Sequence, residues 1–308
     1  IEEDREMNII NENSYLRKLE SKKRIEASPL AKACVQSVTR NQIDDFLKSI
    51  THYSDSVIKK EFEMLSRCFR EAVNRDIIIK NPMLNVRRPK SKKKQQKTRA
   101  LTLGEQKKLL EILKSEEVNY SAQTQLMMLT GMRMGEINAL DVNDVNFDFK
   151  IINIRRSMTR DENSKPIIGE TTKTYAGMRK IPLTDEAAKV LKEYIQNDFV
   201  PNYENLLFWN TKQNTPLTTS SVNCQLSRVF EKFDIIDETV SGKVSLHSLR
   251  HTYATRCIEA GMSAKVLQHL LGHTDIKVTL NTYCDAFSEF QENDVAKFTS
   301  YMQEKMSI

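Results

Sequence analysis

The chain has 308 residues, 39% of them hydrophobic and 29% charged, with only 8 glycines, which is long enough for two domains and excludes a disordered, collagen-like or low-complexity protein. No apolar run approaches the roughly 18 residues a bilayer span requires and no charged-then-apolar leader opens the sequence, so a soluble, cytoplasmic protein without a membrane partner is expected. Cys34, Cys68, Cys224, Cys257 and Cys284 are odd in number and form no Cys-x-x-Cys pair, a pattern that fits free thiols in a reducing compartment. The formal net charge of +6 is modest but unevenly spread. Because the chain opens at Ile1 rather than at an initiator methionine, a further N-terminal segment is expected to precede it.

In chain order, Thr39 precedes a helical pattern over Asn41 to Ile50. Ser54 then reads as the N-cap of an amphipathic helix carrying Ile58, Phe62, Leu65, Phe69 and Val73 on one face. Pro82 in "KNPM" closes the helical stretch, so residues 1–88 are expected to form a small all-helical domain. The following "RRPKSKKKQQKTR" contains no acidic residue. Such a block repels itself and attracts polyanions, so residues 89–99 are expected to be a basic linker. Either it is merely solvated, or Arg87, Arg88, Lys90, Lys92, Lys93, Lys94, Lys97 and Arg99 lie along a phosphate backbone, where each neutralised phosphate releases counterions.

A second domain, residues 100–308, opens at Thr102, which stands at capping-box spacing from Glu105. Helices are predicted to about Leu140. The segments "IINIRRSMT" and "MRKIPLT" then bracket a turn region and are expected to pair as a small antiparallel sheet. Thr184 starts another helix, "LLFWN" is a short apolar segment, and the rest has a helical pattern. The fold class expected is therefore mainly α with a small antiparallel β-sheet.

The histidines offer several chemistries. His247 and His251, like His269 and His273, are four residues apart and on a helix could share a metal. Against this, hydrolytic zinc helices carry a glutamate beside the first histidine, where this chain has Ser248, and Arg250 repels a cation. No metal and no other cofactor is expected. A phosphate suits the same helix better, because His247 and Arg250 share a face and an arginine fork matches phosphate oxygens. His-x-x-Arg alone is weak, since any polar helix face can carry it.

Other candidates accompany it. Arg133 follows a Thr130-Gly131 break, with Glu136 placed to hold it, although an ordinary surface ion pair fits the same letters. Lys173 stands in the predicted turn between strands, either within reach of a leaving oxygen or pointing to water. His273 follows Gly272, and Tyr283 comes shortly after, open to reading as a half-buried aromatic of the last core helix.

Taken together, "TGMRMGE", Lys173, "LHSLRHTYAT", "LLGHTDIKVT" and Tyr283 stand in the order of the catalytic residues of the tyrosine recombinase (phage integrase) family, and the sequence resembles that family over nearly its whole length. "RDIIIKNPMLNVRRPK" is similar to the end of the family's helical core-binding domain. The spacing from His273 to Tyr283 resembles integrases of conjugative transposons, which usually carry a further N-terminal domain for arm-type DNA sites. The resemblance implies a site-specific recombinase with a core-type DNA-binding domain (1–88) and a catalytic domain (100–308). It also implies double-stranded DNA as partner, a bacterial nucleoid setting, and room for an accessory DNA-bending or excision factor.

The chemistry follows from the residues. Cutting a phosphodiester without Mg²⁺ needs side-chain positive charge around the non-bridging oxygens, which Arg133 and Arg250 can supply, with His273 as a neutral donor. A tyrosine hydroxyl, with a reference pKa near 10, needs a base, and His247 is the candidate. Lys173 is the candidate general acid for the departing 5′-hydroxyl. The resemblance gives Tyr283 the nucleophile's role, with a 3′-phosphotyrosyl intermediate that conserves bond energy and dispenses with ATP. Glu136 and His251 are assigned to support of the site, and Cys284 to no chemistry.

Beyond Tyr283, Phe287, Phe290, Val295, Phe298 and Met302 recur at roughly helical spacing. The resemblance makes residues 286–308 an exchange helix that docks on a neighbouring protomer in a dimer or tetramer on DNA. A type IB topoisomerase and a catalytically idle DNA-binding protein of the same fold are the alternative readings.

Overall fold

The computed structural model describes residues 2–7, 9–10, 12–94, 96–161, 163, 165–169, 178–284, 299 and 302–303. The chain divides into two compact units, residues 1–96 with 160–164, and residues 97–159 with 165–308.

In the first unit, helices α1 (Glu2–Glu6) and α2 (Glu12–Glu26) and two short 3₁₀ turns lead into α3 (Arg40–Ser49) and α4 (Asp55–Asn74). Thr39 caps α3 as its sequence suggests. Its backbone N–H donates to Gln42 Oε1 at 2.8 Å, and its own hydroxyl accepts from the Gln42 N–H. Ser54 does occupy the N-cap of α4, but in extended geometry without a side-chain bond to the helix. Ile58, Leu65, Phe69 and Ala72 bury one stripe of α4 against Ile43, Phe46 and Leu47 of α3, while Phe62 and Val73 are only partly buried at its edge. Glu61 falls within the buried stripe and binds Arg24 of α2 at 2.7 Å. Burial pushes its carboxyl above the usual value against the pull of Arg24.

The second unit is helical with small antiparallel sheets. It contains α5 (Leu103–Ser115), α6 (Ser121–Thr130), α7 (Met134–Asn138), α8 (Asp185–Asn197), α9 (Thr219–Lys232), α10 (Leu246–Glu259) and α11 (Ala264–Leu271). Residues 276–284 are helical as well and are called α12 here. Strands β1 (Val145–Asn146), β2 (Ile151–Ile154) and β5 (Arg179–Pro182) form one sheet in the order β1-β2-β5, while β3 (Ser157–Arg160) pairs with β4 (Pro166–Gly169). The two segments expected to pair do so, Ile152 opposite Ile181 and Ile154 opposite Arg179. The "LLFWN" segment departs from the helical expectation around it, because β6 (Trp209–Asn210) folds back on β7 (Thr215–Pro216) as a hairpin.

Helix α6 is the hub of this unit, packing on α5, α7, α8 and α10. Its Leu126 and Met127 lie in a core with Leu109, Ile137, Ile152, Ile181, Leu191 and Leu249. An element buried nearly all round can hold its ends only where those neighbours place them. The end of α6 is therefore a fixed point for the site described below.

The last part of the basic run is built into this unit. Lys97 and Arg99 exchange backbone hydrogen bonds with Lys243. Arg99 was expected on a phosphate backbone. Its fork instead grips both Glu105 oxygens at 2.7 Å, and its side chain is only 12% exposed. Glu105 is the N3 residue of the α5 capping box, and it also accepts the backbone N–H groups of Thr102 and Asp237. Burial alone would raise its pKa, but Arg99 and those two N–H groups hold it at about 2. A carboxyl lowered in this way stabilises the fold fully above its ordinary range, and the contribution is lost as pH falls toward 2. Arg99→Met leaves a buried carboxylate without its cation, so urea unfolding at pH 7 should show a loss of about 3–5 kcal/mol, whereas Lys94→Met should stay within about 0.5 kcal/mol.

Candidate active site

Two helices end where the chain turns left-handed at a glycine, and the site forms between those ends. Gly131 caps α6 at φ 65° and Gly272 caps α11 at φ 63°, a backbone conformation that exposes the final carbonyls of a helix. At Gly131 any side chain would collide, because an added Cβ falls 2.3 Å from the Tyr253 ring.

Three consecutive carbonyls at the end of α11 each accept from a different arginine. Arg179 Nε donates to Leu270 O at 2.7 Å, Arg250 Nη2 to Leu271 O at 2.5 Å, and Arg133 Nη2 to Gly272 O at 3.1 Å. Arg250 Nη1 also donates to Gly131 O at 2.8 Å, on the end of α6. The last carbonyls of a helix lack intrahelical partners and carry the negative end of its dipole, so both helix ends suit cations.

One carboxylate completes the arrangement. Glu136, 2% exposed on α7, accepts from Arg133 Nη1 at 2.8 Å and from the Arg133 backbone N–H at 2.9 Å, and it accepts both fork nitrogens of Arg179 at 3.0 and 2.8 Å. Burial opposes ionisation, yet Arg179 first and Arg133 next hold its pKa at about 2. Among the described residues three guanidiniums thus face a single carboxylate, and the excess of positive charge is the electrostatic complement of a phosphodiester. Burial and then Arg133 pull Arg250 down to about 9, still a cation at pH 7. Arg250 is buried, while the Arg133 side chain is 43% exposed and presents an open edge.

Both candidate histidines feel this cluster. Loss of hydration, then His251, Arg250 and Arg133, hold His247 at about 4, although the residue as a whole is exposed. His273 is held at about 4 by burial, then by Arg250 and Arg133. Each is therefore neutral at pH 7, able to act as a base or as a neutral donor. His273 Nδ1 lies 2.9 Å from Thr279 Oγ1, and when that hydroxyl donates, the ring proton sits on Nε2. His251 stands edge-on to His247, ring centroids 5.0 Å apart. Ser248, found where a hydrolytic zinc helix has its glutamate, accepts the Ser245 backbone N–H at 3.0 Å and so helps to cap α10.

Tyr283 lies on α12, packed in a cluster with Ala254, Cys257, Leu267 and Leu271, and its hydroxyl donates to the Met262 carbonyl. Burial first and Cys257 second raise its pKa. In this arrangement the phenol keeps its proton. Lys173 lies outside the described residues, as do Phe287, Phe290, Val295 and Phe298 of the expected exchange helix. In the basic run, Arg87, Arg88, Lys90, Lys92, Lys93, Lys94 and Lys97 are exposed, with Arg88 3.2 Å from Asp55 in a surface ion pair.

Arg133, Glu136, Arg250 and His273 thus meet around the end of α11, and sequence reasoning missed Arg179. The alternation of β5 carried the signal. Arg179 and Ile181 share the buried face while Lys180 and Pro182 are exposed, so an arginine stands in register with a core isoleucine.

Comparison with known proteins points to one family. The transposase of transposon Tn916 from Enterococcus faecalis is 30% identical over 243 residues, which are 76% of this chain and 59% of that protein. This chain therefore spans less than two thirds of that relative's length. The ICEBs1 integrase of Bacillus subtilis is 24% identical, covering 82% of this chain and 68% of that protein. Among solved structures, the Tn1549 transposon integrase in complex with a circular intermediate DNA has the same fold, with a TM-score of 0.79 at 23% identity over 94% of this chain and 96% of that one. A lambda integrase tetramer bound to a Holliday junction matches with a TM-score of 0.63 at 20% identity, over 89% of this chain and 72% of that one. Residues 99–289 match the phage integrase family, and the chain belongs to it.

Proposed function

We propose that this chain is the DNA-cleaving part of a site-specific recombinase of a mobile element, of the conjugative-transposon type, which cuts and rejoins strands through a 3′-phosphotyrosyl intermediate without metal or ATP. The observation that carries this reading is the set of three arginines on the end of α11 with one carboxylate among them. That excess of positive charge fits a phosphodiester, and fits better still as negative charge builds during attack.

In this mechanism Arg133 and Arg250 hold the non-bridging oxygens of the scissile phosphate. His273 adds a hydrogen bond from Nε2, its tautomer set by Thr279. The Tyr283 hydroxyl leaves the Met262 carbonyl, gives its proton to neutral His247 and attacks phosphorus. The bond from phosphorus to the 5′-oxygen breaks, and Lys173 protonates the leaving oxygen. Attack by a second 5′-hydroxyl reverses the sequence and joins the new strand. The exposed lysines between residues 90 and 97 follow the DNA backbone, and the working form is a dimer or tetramer on DNA in the cytoplasm.

Covalent trapping tests the chemistry. A nicked duplex from the ends of the mobile element, mixed with the protein in EDTA, should yield a protein–DNA band that survives denaturation and is missing with Tyr283→Phe. Tight binding without such a band would sink the proposal. Relaxation of supercoiled plasmid with no strand exchange would reassign the chain to topoisomerase-like chemistry.

Replacing Lys92, Lys93 and Lys94 with alanine should flatten the slope of log affinity against log salt by about 2–3, since each phosphate contact contributes about 0.9. An unchanged slope would place these residues off the DNA.

The histidines give a third test. A histidine lowered from 6.5 to about 4 stays neutral in the folded chain while the unfolded chain takes up a proton, so stability falls as pH drops through that window. In NMR titrations of the DNA-free protein, the ring signals of His247 and His273 should remain those of neutral imidazole at pH 5.5, and their pKa values should rise when DNA brings its phosphates. Ordinary titration near 6.5 without DNA would contradict the field described here.

A further inference from the structure

Arg179 has no place in the mechanism above, yet more of the site converges on it than on any group that would touch DNA. Its side chain is fully buried on the inner face of β5. Its two terminal nitrogens take both oxygens of Glu136 and its Nε takes Leu270 O. A Cβ added at Gly272 would lie 2.9 Å from Arg179 Nη1, so the backbone at the end of α11 runs directly over the guanidinium.

Arg133 holds its half-exposed fork in place through two side-chain bonds, to Glu136 Oε1 and to Gly272 O. Arg179 supports both acceptors. It fixes the plane of the carboxylate by binding its two oxygens, and it fixes the end of α11 through Leu270 O and the contact beneath Gly272. A buried ion pair is by itself a poor source of stability, since a well-packed apolar pair of similar volume often does as well. A planar, two-pronged cation does set the orientation of a carboxylate, which a point charge does not.

We infer that Arg179 is a positioning residue for DNA cleavage, acting through Glu136 and the end of α11 to aim the Arg133 guanidinium at the scissile phosphate. The inference rests on the cleavage reading proposed above. Arg179 touches no reacting atom in this scheme. Its removal slows the chemical step by misplacing Arg133 and leaves DNA binding, which draws on many other cations, almost untouched.

The test uses single-turnover formation of the covalent complex on the nicked duplex, with DNA affinity measured beside it. The proteins compared are the unaltered chain, Arg133→Ala, Arg179→Lys and the double variant Arg133→Ala/Arg179→Lys. Arg179→Lys keeps the buried charge but loses the fork, and is expected to slow cleavage about 100-fold, the scale of an ångström-sized misplacement, with the Kd for DNA changed less than about threefold. The decisive comparison is the double variant. If Arg179 works through Arg133, adding Arg179→Lys to Arg133→Ala slows cleavage no further. Effects that multiply, or an Arg179→Lys protein that cleaves at the normal rate, overturn the inference.

Should Arg179→Lys fail to fold, Glu136→Gln loosens the same fork from its other side at nearly constant volume. The same 100-fold loss and the same lack of additivity with Arg133→Ala are expected, and multiplying effects again overturn the idea. A crystal structure of the folded variant gives an arm independent of DNA chemistry, since Arg133 still seated on both Glu136 Oε1 and Gly272 O would overturn the inference whatever the chain does to DNA. Absence of a covalent product from the unaltered chain would instead count against the cleavage reading alone.

Discussion

Three guanidinium groups share the end of one eight-residue helix, and much of the second unit can be understood as the means of keeping them there. Like charges this close repel strongly when water is scarce, so the arrangement stands only if compensating negative charge is built in. A second carboxylate would supply it but would also cancel the field that a phosphate needs. The fold draws on backbone carbonyls instead, partial charges that a helix end offers without neutralising the cations. Among the described residues Glu136 provides the full negative charge at this helix end, shared by Arg133 and Arg179. Arg250 is left to the carbonyls of two helix ends.

That solution dictates backbone geometry. A helix can direct its last carbonyls outward only if the chain leaves it sharply, and Gly131 and Gly272 make those exits. Gly131 admits no alternative, because Tyr253 fills the space a side chain would take. The burial of α6 and the packing of α11 on α10 and β5 then keep the two exits at a fixed separation. Arg133 caps the start of α7, Arg179 begins β5 and Arg250 lies within α10, so each arginine reaches the end of α11 from a different element. A shift of any one element would be felt by the others through the shared carbonyls and Glu136.

How much of this could be read from the sequence depended on distance along the chain. Thr39 ahead of α3 and Thr102 with Glu105 were legible because a cap is decided within four residues. Arg133 with Glu136 was legible for the same reason. The pairing of β2 with β5 was legible from two β-rich segments around a turn region, while the register that sets Ile152 opposite Ile181 came only with the structure. Arg179 was not, because its partners are Glu136, 43 residues before it, and Leu270, 91 residues after it. In "MRKIPL" it reads as one of two adjacent cations, and only the burial of one face separates it from Lys180. Arg99 misled in the opposite sense. It closes a run of cations and shares their composition, yet backbone pairing with Lys243 draws it inward to Glu105. The strands β6 and β7 are two residues each, too short for any alternation to show.

Tyr283, the proposed nucleophile, stands under a different physical regime from the arginine cluster. The arginine cluster is fixed by charge and by helix ends, whereas Tyr283 is held by apolar packing and by a hydrogen bond to a backbone carbonyl that cannot take its proton. Burial and Cys257 raise the phenol's pKa, so this position favours the protonated and unreactive form. Moving the hydroxyl into the field of Arg133 and Arg250 would reverse that preference, because cations favour the phenolate and neutral His247 can receive the proton. The cost of leaving includes the hydrogen bond to Met262 O and part of an apolar contact, about a few kcal/mol together. A gap of that size is within what phosphate binding to the cluster can offset. In the proposed mechanism the arginine cluster can thus stand assembled before DNA arrives, with the reactivity of Tyr283 set by where α12 places it.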